Sequence, residues 1–418
     1  GDFTVFAGLR ECLSFIENFR FGQEECKLVK SILRETAQGN RKGFRDEDVE
    51  GFVGWLVSLT PERLHIFAIP EGSLVYPLEP LVRVEAPLGM AQLLETTLLN
   101  LVNYPSLVAT NALRYRLAAG RDTPLIEMGL RRAQGPDGAM SASRYCYLGG
   151  FSATSNVLAS LVYGIPVKGT HAHAFVQSFT SLTQLRSPTL RHAVTEDLEP
   201  FVDQVLQTRS ELQLNTRDDE LAAFIASAQA NPAGFLALVD TYDTLGCGVP
   251  NFCCVGIALL RLGYKPVGIR LDSGEIGPLS TQARNILREM GDKVGAPEIS
   301  QCMILASSDI TVELLHKLGS ENHEIDGYGI GTHLVTCKSQ PALGCVYKLV
   351  EIDGMPRIKI SDDPTKISLP GRKNVHRLYG QDRRTVLDLV TLANEDPPKT
   401  SEVVTCYALK DSESMVEL

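Results

Sequence analysis

The sequence predicts an α/β protein whose parallel sheet curls toward an irregular barrel, with a second domain split in sequence around it. Three observations carry this. From Thr123 onward strand-like runs alternate with helical ones, which implies a parallel sheet with its active site at the carboxyl ends of the strands. Before Thr123 and again from Val346, short strands broken by Pro and Gly take over, the texture of antiparallel pairing. Two strand-like runs end in loops suited to a sugar phosphate: Val267-Gly268-Ile269-Arg270-Leu271-Asp272-Ser273-Gly274 and Ile325-Asp326-Gly327-Tyr328-Gly329-Ile330-Gly331-Thr332.

Residues 9–60 read as mostly helical, because Leu13, Ile16 and Phe19 recur at helical spacing and Leu28, Ile32 and Leu33 continue the pattern. After Pro61 the chain reads as strands at 65–69, 73–76 and 80–85, and from Gly89 to about Leu117 as a buried helix pair. The alternating region supplies strand-like runs at 125–128, 165–167, 235–239, 267–270 and 303–306, then the glycine turn at 329–332. That many units favours barrel-like closure over an open sheet. Residues 181–220 lack clean periodicity and read as a surface excursion with a helix inside it. Strands at 347–352 and 357–360, joined by an Asp353-Gly354 turn, resemble the early region. The expected domains are therefore 1–120 plus 345–418, and 121–344.

The chain has 418 residues, enough for two substantial domains. Its net charge of −10 comes without long runs of like charge, which argues against nucleic acid, since phosphate backbones need clustered Lys and Arg. The 10 cysteines show neither a CxxC pair nor a finger spacing. They read as buried thiols in a reducing compartment. Apolar stretches such as Leu93–Val102 are broken by Glu95, Thr96, Thr97 and Asn100, so no membrane span is expected. There is no signal-peptide pattern and no initiator Met, so a processed or partial chain in the cytoplasm is expected.

The chemistry concentrates at strand ends. Arg270 and Asp272 share one strand face. The bare amides around Gly329 and Gly331, with Thr332, can face an anion, and a helix starting there would add its positive end. Arg131 and Arg132, before Gly135-Pro136-Asp137-Gly138, offer fork geometry for a carboxylate or pyrophosphate. Gly149-Gly150 and a hydroxyl cluster follow, with Phe151 available to stack on a flat ring. His171 and His173 form an HxH pair without a third ligand nearby, so one histidine carrying a proton or accepting a phosphate is the better reading than a metal site. Asp240 and Asp243 close another strand with carboxylates that could bind Mg²⁺ or neutralise a developing cation. Ser307-Ser308-Asp309 closes the next and could hydrogen-bond ribose hydroxyls.

These segments, in this order, resemble the nicotinate phosphoribosyltransferase family: Arg131-Arg132-Ala133-Gln134-Gly135-Pro136-Asp137-Gly138, Leu148-Gly149-Gly150-Phe151, Gly169-Thr170 with His173-Ala174-Phe175, Asp240-Thr241-Tyr242-Asp243, Arg270-Leu271-Asp272-Ser273-Gly274 and Gly329-Ile330-Gly331-Thr332. They span nearly the whole chain, and the string at 131–138 is the specific one. The resemblance implies a type II phosphoribosyltransferase fold, an irregular α/β barrel beside a split α/β sandwich, assembled as a homodimer. It implies that nicotinate attacks phosphoribosyl pyrophosphate to give nicotinate mononucleotide and pyrophosphate, the first step of NAD synthesis from nicotinate. Mg²⁺ (or Mn²⁺) and coupled ATP hydrolysis are implied with it. Asp240 and Asp272 then act on the oxocarbenium-like ribose, directly or through the metal. Arg270, Arg131 and Arg132 face anionic groups, one of them the nicotinate carboxylate, and Phe151 stacks on the pyridine. Ser307 and Asp309 meet ribose, and Gly150 belongs to the same substrate surface. Gly329, Gly331 and Thr332 hold the 5′-phosphate. His173 stands where the family carries the histidine phosphorylated by ATP, while His171 falls at a usually apolar position and receives no role. Two departures stand out. The family's N-terminal helix with an Asp-Leu-Tyr-type motif, whose Tyr covers the ring across the dimer, would lie before Gly1, and members commonly run beyond Leu418. Glu275 stands where Asp is common. Two alternatives remain open at this point: a nicotinamide-using relative, and a catalytically weak nucleotide-binding scaffold.

Overall fold

The computed structural model describes residues 3–39, 44–360, 362, 368–401, 403–408 and 411–417. The chain divides into two compact units, Gly1–Thr110 with Ala342–Leu418, and Asn111–Pro341.

The second unit holds a sheet of six parallel strands, labelled here β1 (Leu125–Glu127), β2 (Ala153–Thr154), β3 (Leu236–Leu238), β4 (Gly268–Leu271), β5 (Met303–Ala306) and β6 (Gly327–Ile330). Their order across the sheet is β2-β1-β6-β5-β4-β3. The sheet curls into a half-barrel. Residues 165–167 do not become a full strand: Val167 makes one parallel bridge to Thr154 beside β2. Across the open side, side-chain bonds tie the segment after Val167 to β3, among them the bond that the Leu238 N–H donates to His171 Nε2 at 3.4 Å.

The central strands are short, mostly apolar and largely buried, β5 as Met-Ile-Leu-Ala and β4 as Gly-Ile-Arg-Leu, with Arg270 as the one charged residue in the two, the pattern of a sheet covered on both faces. Covering helices follow the strands: α1 (Gly135–Leu148), α2 (Val157–Tyr163), α3 (His173–Gln177), α4 (Phe201–Glu211), α5 (Asp218–Ala230), α6 (Val249–Arg261), α7 (Ile276–Lys293), α8 (Val312–Gly319) and α9 (Thr332–Val335). The excursion expected over 181–220 contains a two-residue-per-strand hairpin, Leu190–Arg191 with Leu198–Glu199, and then α4. Helix α6 is buried from Val249 through Leu259, with Phe252 stacked on Phe235 at 5.5 Å. The helical stretch Thr244–Arg261, unlike the runs named from sequence, has the length and composition to cross a membrane, but 72% of it is buried inside the protein. A core helix meets the same test, because burial and lipid demand the same side chains. At β4 only glycine fits the strand start, since a Cβ on Gly268 would lie 1.9 Å from the Met303 carbonyl oxygen.

In the first unit the N-terminal half is helical as expected, over Leu9–Glu17, Gln23–Gly39 and Asp46–Val57. Two antiparallel pairs follow, Thr4–Val5 with Leu74–Val75 and His65–Ala68 with Val82–Glu85. The expected helix pair is one continuous helix, Leu88–Ala119, running through Pro105. The residues around the proline are apolar or weakly polar and buried, so tertiary packing overrides the local break. Phe6, Ile16, Leu56, Met90 and Leu94 form the core, with Cys345 and Tyr347 of the returning segment packed against it. Tyr347 Oη donates to the Ala91 carbonyl at 3.0 Å. The later hairpin, Lys373–Tyr379 with Thr385–Leu392, is tied back by Arg83, whose Nη1 donates to the Lys373 carbonyl at 2.9 Å and to Asn374 Oδ1 at 2.6 Å.

The same unit holds a carboxyl pair. Arg377 grips Asp388 through Nε and Nη2, each at 2.7 Å, and keeps its carboxyl below the ordinary value. Burial, reinforced by the neighbouring Asp388 charge, lifts Glu79 from 4.5 to about 7. Between those two pH values the folded chain retains a proton that the unfolded chain releases, so folding stability falls as pH rises through the window and levels off above it. Thermal melts are expected to show this decline, and Glu79→Gln should flatten it. Melting curves of the native and Glu79→Gln proteins with the same slope against pH would sink the assignment.

Candidate active site

The carboxyl ends of β3 and β4 bring the strongest candidates together. Arg270, on β4, donates through Nε to Ser307 Oγ at 2.7 Å, through Nη1 to Thr170 Oγ1 at 3.0 Å and through Nη2 to Asp272 Oδ1 at 3.0 Å. Ser307 Oγ also donates to Asp272 Oδ1 at 2.5 Å. Asp240, just past β3, receives the Asp272 N–H at 3.0 Å and the Ser273 hydroxyl at 2.5 Å, both on Oδ2. Its side chain is only 1% exposed, and Oδ1 has no hydrogen-bond donor.

His173 opens α3 and sits against this cluster. Its Nδ1 lies 3.1 Å from Thr241 Oγ1. Its Nε2 lies 3.7 Å from Asp272 Oδ2 and 4.0 Å from Asp240 Oδ1. One guanidinium, two carboxylates and an imidazole thus share one patch, with hydroxyls fixing their rotamers. The orphaned Asp240 Oδ1 suits a hard cation. Among the described residues no group of three or more His, Cys, Asp or Glu side chains forms a closed cage. Mg²⁺ does not require one, since it typically takes one or two carboxylates and completes its shell with water and substrate phosphate. Asp240 and Asp272 fit that pattern.

The arginine turn follows β1. Leu130–Arg132 forms one 3₁₀ turn, and Arg131 and Arg132 are exposed without a recorded ion pair among the described residues. Gly331 and the exposed Thr332 lie just past β6, where α9 is a single four-residue turn. Asp309, past β5, is exposed and holds φ at 38°, a conformation unusual outside glycine.

A chain named nicotinate phosphoribosyltransferase 2 from Arabidopsis thaliana is 48% identical over 416 residues, covering 97% of this chain and 72% of that one. The chain belongs to the nicotinate phosphoribosyltransferase family. The human nicotinate phosphoribosyltransferase is 42% identical over 412 residues, covering 96% of this chain and 74% of its own. The family's N-terminal domain profile matches residues 1–103, and its C-terminal domain profile matches 372–418. The crystal structure of human nicotinic acid phosphoribosyltransferase superposes with a TM-score of 0.85 at 38% identity, covering 100% of this chain and 79% of that one. A nicotinate-nucleotide pyrophosphorylase from Pyrococcus furiosus shares the fold, with a TM-score of 0.58 at 18% identity and coverage of 100% and 78%.

Three sequence expectations do not fit the geometry. Phe151 is 2% exposed and meets Tyr115 edge-on at 6.4 Å, so it has no free face for a pyridine. The reason is chain direction: Gly150 and Phe151 lead into β2 and lie at its amino end, while the site is at the carboxyl ends. Gly150 turns there with φ of 103°, its carbonyl accepting from Arg116 Nε at 2.9 Å. Gly329 lies inside β6, where a Cβ would come within 2.6 Å of Met128 Sδ. Its lack of a side chain serves packing, and the strand-end amides belong to Gly331 and Thr332.

His171 and His173 do not converge on a ligand. The His171 ring packs between Phe175 and Phe224, at 5.4 and 5.7 Å, and burial, together with the Arg270 and His173 charges, lowers its pKa to about 4. Thr170, Thr241 and Ser273 lie inside the segments read from sequence but received no role there; Thr241 and Ser273 each directly follow a chosen residue, and Thr170 lies three before His173. Glu127 was also missed, and its signal was legible: a carboxylate inside the apolar run Leu125-Ile126-Glu127-Met128.

Proposed function

We propose that the protein transfers the phosphoribosyl group of phosphoribosyl pyrophosphate to nicotinate, forming nicotinate mononucleotide and pyrophosphate. The observation that carries this reading is the convergence of Asp240 and Asp272 on one patch with Arg270 and His173. The nicotinate ring nitrogen donates its lone pair to ribose C1, and the C1–O electron pair departs with pyrophosphate. Positive charge develops on the ribose, and the fixed carboxylates of Asp240 and Asp272 stabilise it where water would have to reorganise. Asp240 and Asp272 would hold Mg²⁺ or Mn²⁺, which would supply charge neutralisation for the departing pyrophosphate. The free guanidinium groups of Arg131 and Arg132 favour an acidic acceptor over its amide. Gly331 and Thr332 hold the 5′-phosphate, and Ser307 and Asp309 border the ribose.

ATP hydrolysis enters through His173. With Nδ1–H donating to Thr241, Nε2 keeps its lone pair and attacks the γ-phosphorus, and ADP leaves with the bridging electron pair. Transfer of that phosphoryl group to water completes the hydrolysis. The protein acts as a homodimer in the cytoplasm. Helix α2 supports the first statement, with Val157, Leu158, Leu161 and Val162 between 58% and 78% exposed, an apolar face suited to a second copy. The ten free cysteines, eight of them buried, support a reducing compartment.

The test is pyrophosphate release from phosphoribosyl pyrophosphate with Mg²⁺, offering nicotinate or nicotinamide, with and without ATP. Turnover with nicotinate, raised by ATP, is expected. Turnover with nicotinamide alone would assign the amide instead. Binding without turnover would reduce the protein to a nucleotide-binding scaffold.

A further inference from the structure

Glu127 is 1% exposed, and the hydrogen bonds it receives come from neutral groups. Its Oε1 accepts the Gly129 N–H. Its Oε2 accepts the Ser143 hydroxyl at 2.8 Å and the Thr154 hydroxyl at 2.6 Å. Those hydroxyls in turn accept from Asn156, whose N–H reaches Thr154 Oγ1 at 3.0 Å and whose Nδ2 reaches Ser143 Oγ at 3.2 Å. One carboxylate therefore joins the ends of β1 and β2 to helix α1.

Gly129 stands between this carboxylate and the arginine turn, its N–H held by Glu127. Its carbonyl accepts the Arg132 N–H at 2.7 Å and the Ala133 N–H at 3.2 Å. Immediately upstream, the Met128 N–H donates to the Ile330 carbonyl of β6 at 2.8 Å. No side chain fits at 129, because a Cβ there would fall 2.3 Å from Val335 Cγ1. The turn that carries Arg131 and Arg132 is thus set by the bond from Gly129 to Glu127.

We propose that Glu127 is a positioning residue for acceptor binding: it fixes the Gly129 peptide and thereby aims the arginine pair at the acceptor's carboxylate. This rests on the proposed role of Arg131 and Arg132. It acts through hydrogen-bond geometry, so glutamine can replace it. The amide oxygen accepts from Gly129, and the amide N–H groups donate to the Ser143 and Thr154 oxygens. Methionine keeps the length and removes the acceptor, leaving a buried N–H orphaned.

The experiment is steady-state kinetics of the full chain at saturating phosphoribosyl pyrophosphate, varying nicotinate. Glu127→Met is expected to raise KM about 10-fold with kcat within about 3-fold, the signature of lost acceptor binding. Glu127→Gln is expected to stay within about 3-fold of the native KM. An unchanged KM in Glu127→Met overturns the inference, and so does a Gln variant as damaged as Met, which would make the charge the active element. A uniform fall in kcat also overturns it. If the Met variant does not fold, Thr154→Val removes the Oε2 support instead, and its KM should rise about 3-fold. No rise there is equally fatal. Arg131→Ala and Arg132→Ala are run alongside: if both leave KM unchanged, the arginine assignment has failed, whereas impaired arginine variants with a silent Glu127→Met discard the Glu127 role alone.

Discussion

Replacing Asp240 with Asn is expected to lower kcat by about 10²–10³ while leaving the fold intact. Asparagine preserves shape, and its carbonyl oxygen can still accept the Asp272 N–H and the Ser273 hydroxyl that now meet Oδ2. What disappears is the negative charge. That charge is nearly fully buried, and its Oδ1 has no hydrogen-bond donor, so this oxygen is left for a cation. A developing cation beside it gains more than it would in water. Single-turnover pyrophosphate release measures the effect, with melting temperature as the control. A change in kcat below about 10-fold would remove Asp240 from the charge-stabilising role.

Arg284→Met is expected to cost about 1–3 kcal/mol of folding stability, the range seen when buried acceptors lose their donor, because the paired carboxylates of Asp326 and Glu324 are themselves nearly half exposed. The Arg284 side chain is 7% exposed and lies on α7. Its Nη2 meets Asp326 at 2.6 Å and its Nε meets Glu324 at 3.5 Å, while Nη1 donates to the Ser300 and Cys302 carbonyls at 2.7 and 2.5 Å. Methionine fills much of the volume but leaves two carbonyls and a carboxylate without their donor. Asp326 also accepts the Ile304 N–H at 2.8 Å, so the loss reaches the start of β5 and the approach to β6. Denaturant midpoints read this directly. A loss under about 1 kcal/mol would mean water had replaced the guanidinium.

Strands β1, β3, β4 and β5 were legible because each is a short, mostly apolar run bounded by turn residues, and Met303–Ala306 emerged with its expected limits, whereas the two-residue β2 went unseen and the run at 165–167 forms only one bridge. The cluster of Arg270, Asp272, Asp240 and His173 was legible because strand ends gather by topology whatever lies between them. Phe151 was misread for a reason of the same kind. A glycine pair followed by hydroxyls looks alike on either side of a two-residue strand, and β2 is that short. Only the pairing of Ile126 with Ala153 fixes which end is which. The continuous helix through Pro105 was hidden because local propensity cannot register the burial that pays for a missing hydrogen bond. The surroundings of His171 were only partly legible, since Phe175 is four residues on but Phe224 and the Leu238 N–H are distant in sequence.

The split first unit dictates an order of events during synthesis. Residues 111–341 leave the ribosome as an uninterrupted block, whereas the core around Phe6, Met90 and Leu94 is still waiting for Cys345 and Tyr347. Closing a flexible loop of that size costs chain entropy of about 5 kcal/mol by the logarithmic law. If the intervening block has already collapsed, the two flanking segments are held by a compact body instead of a loose coil, and much of that entropy is gone beforehand. The uninterrupted block 111–341 can thus complete its core before the split core around Phe6 and Met90 receives its last stretch of chain.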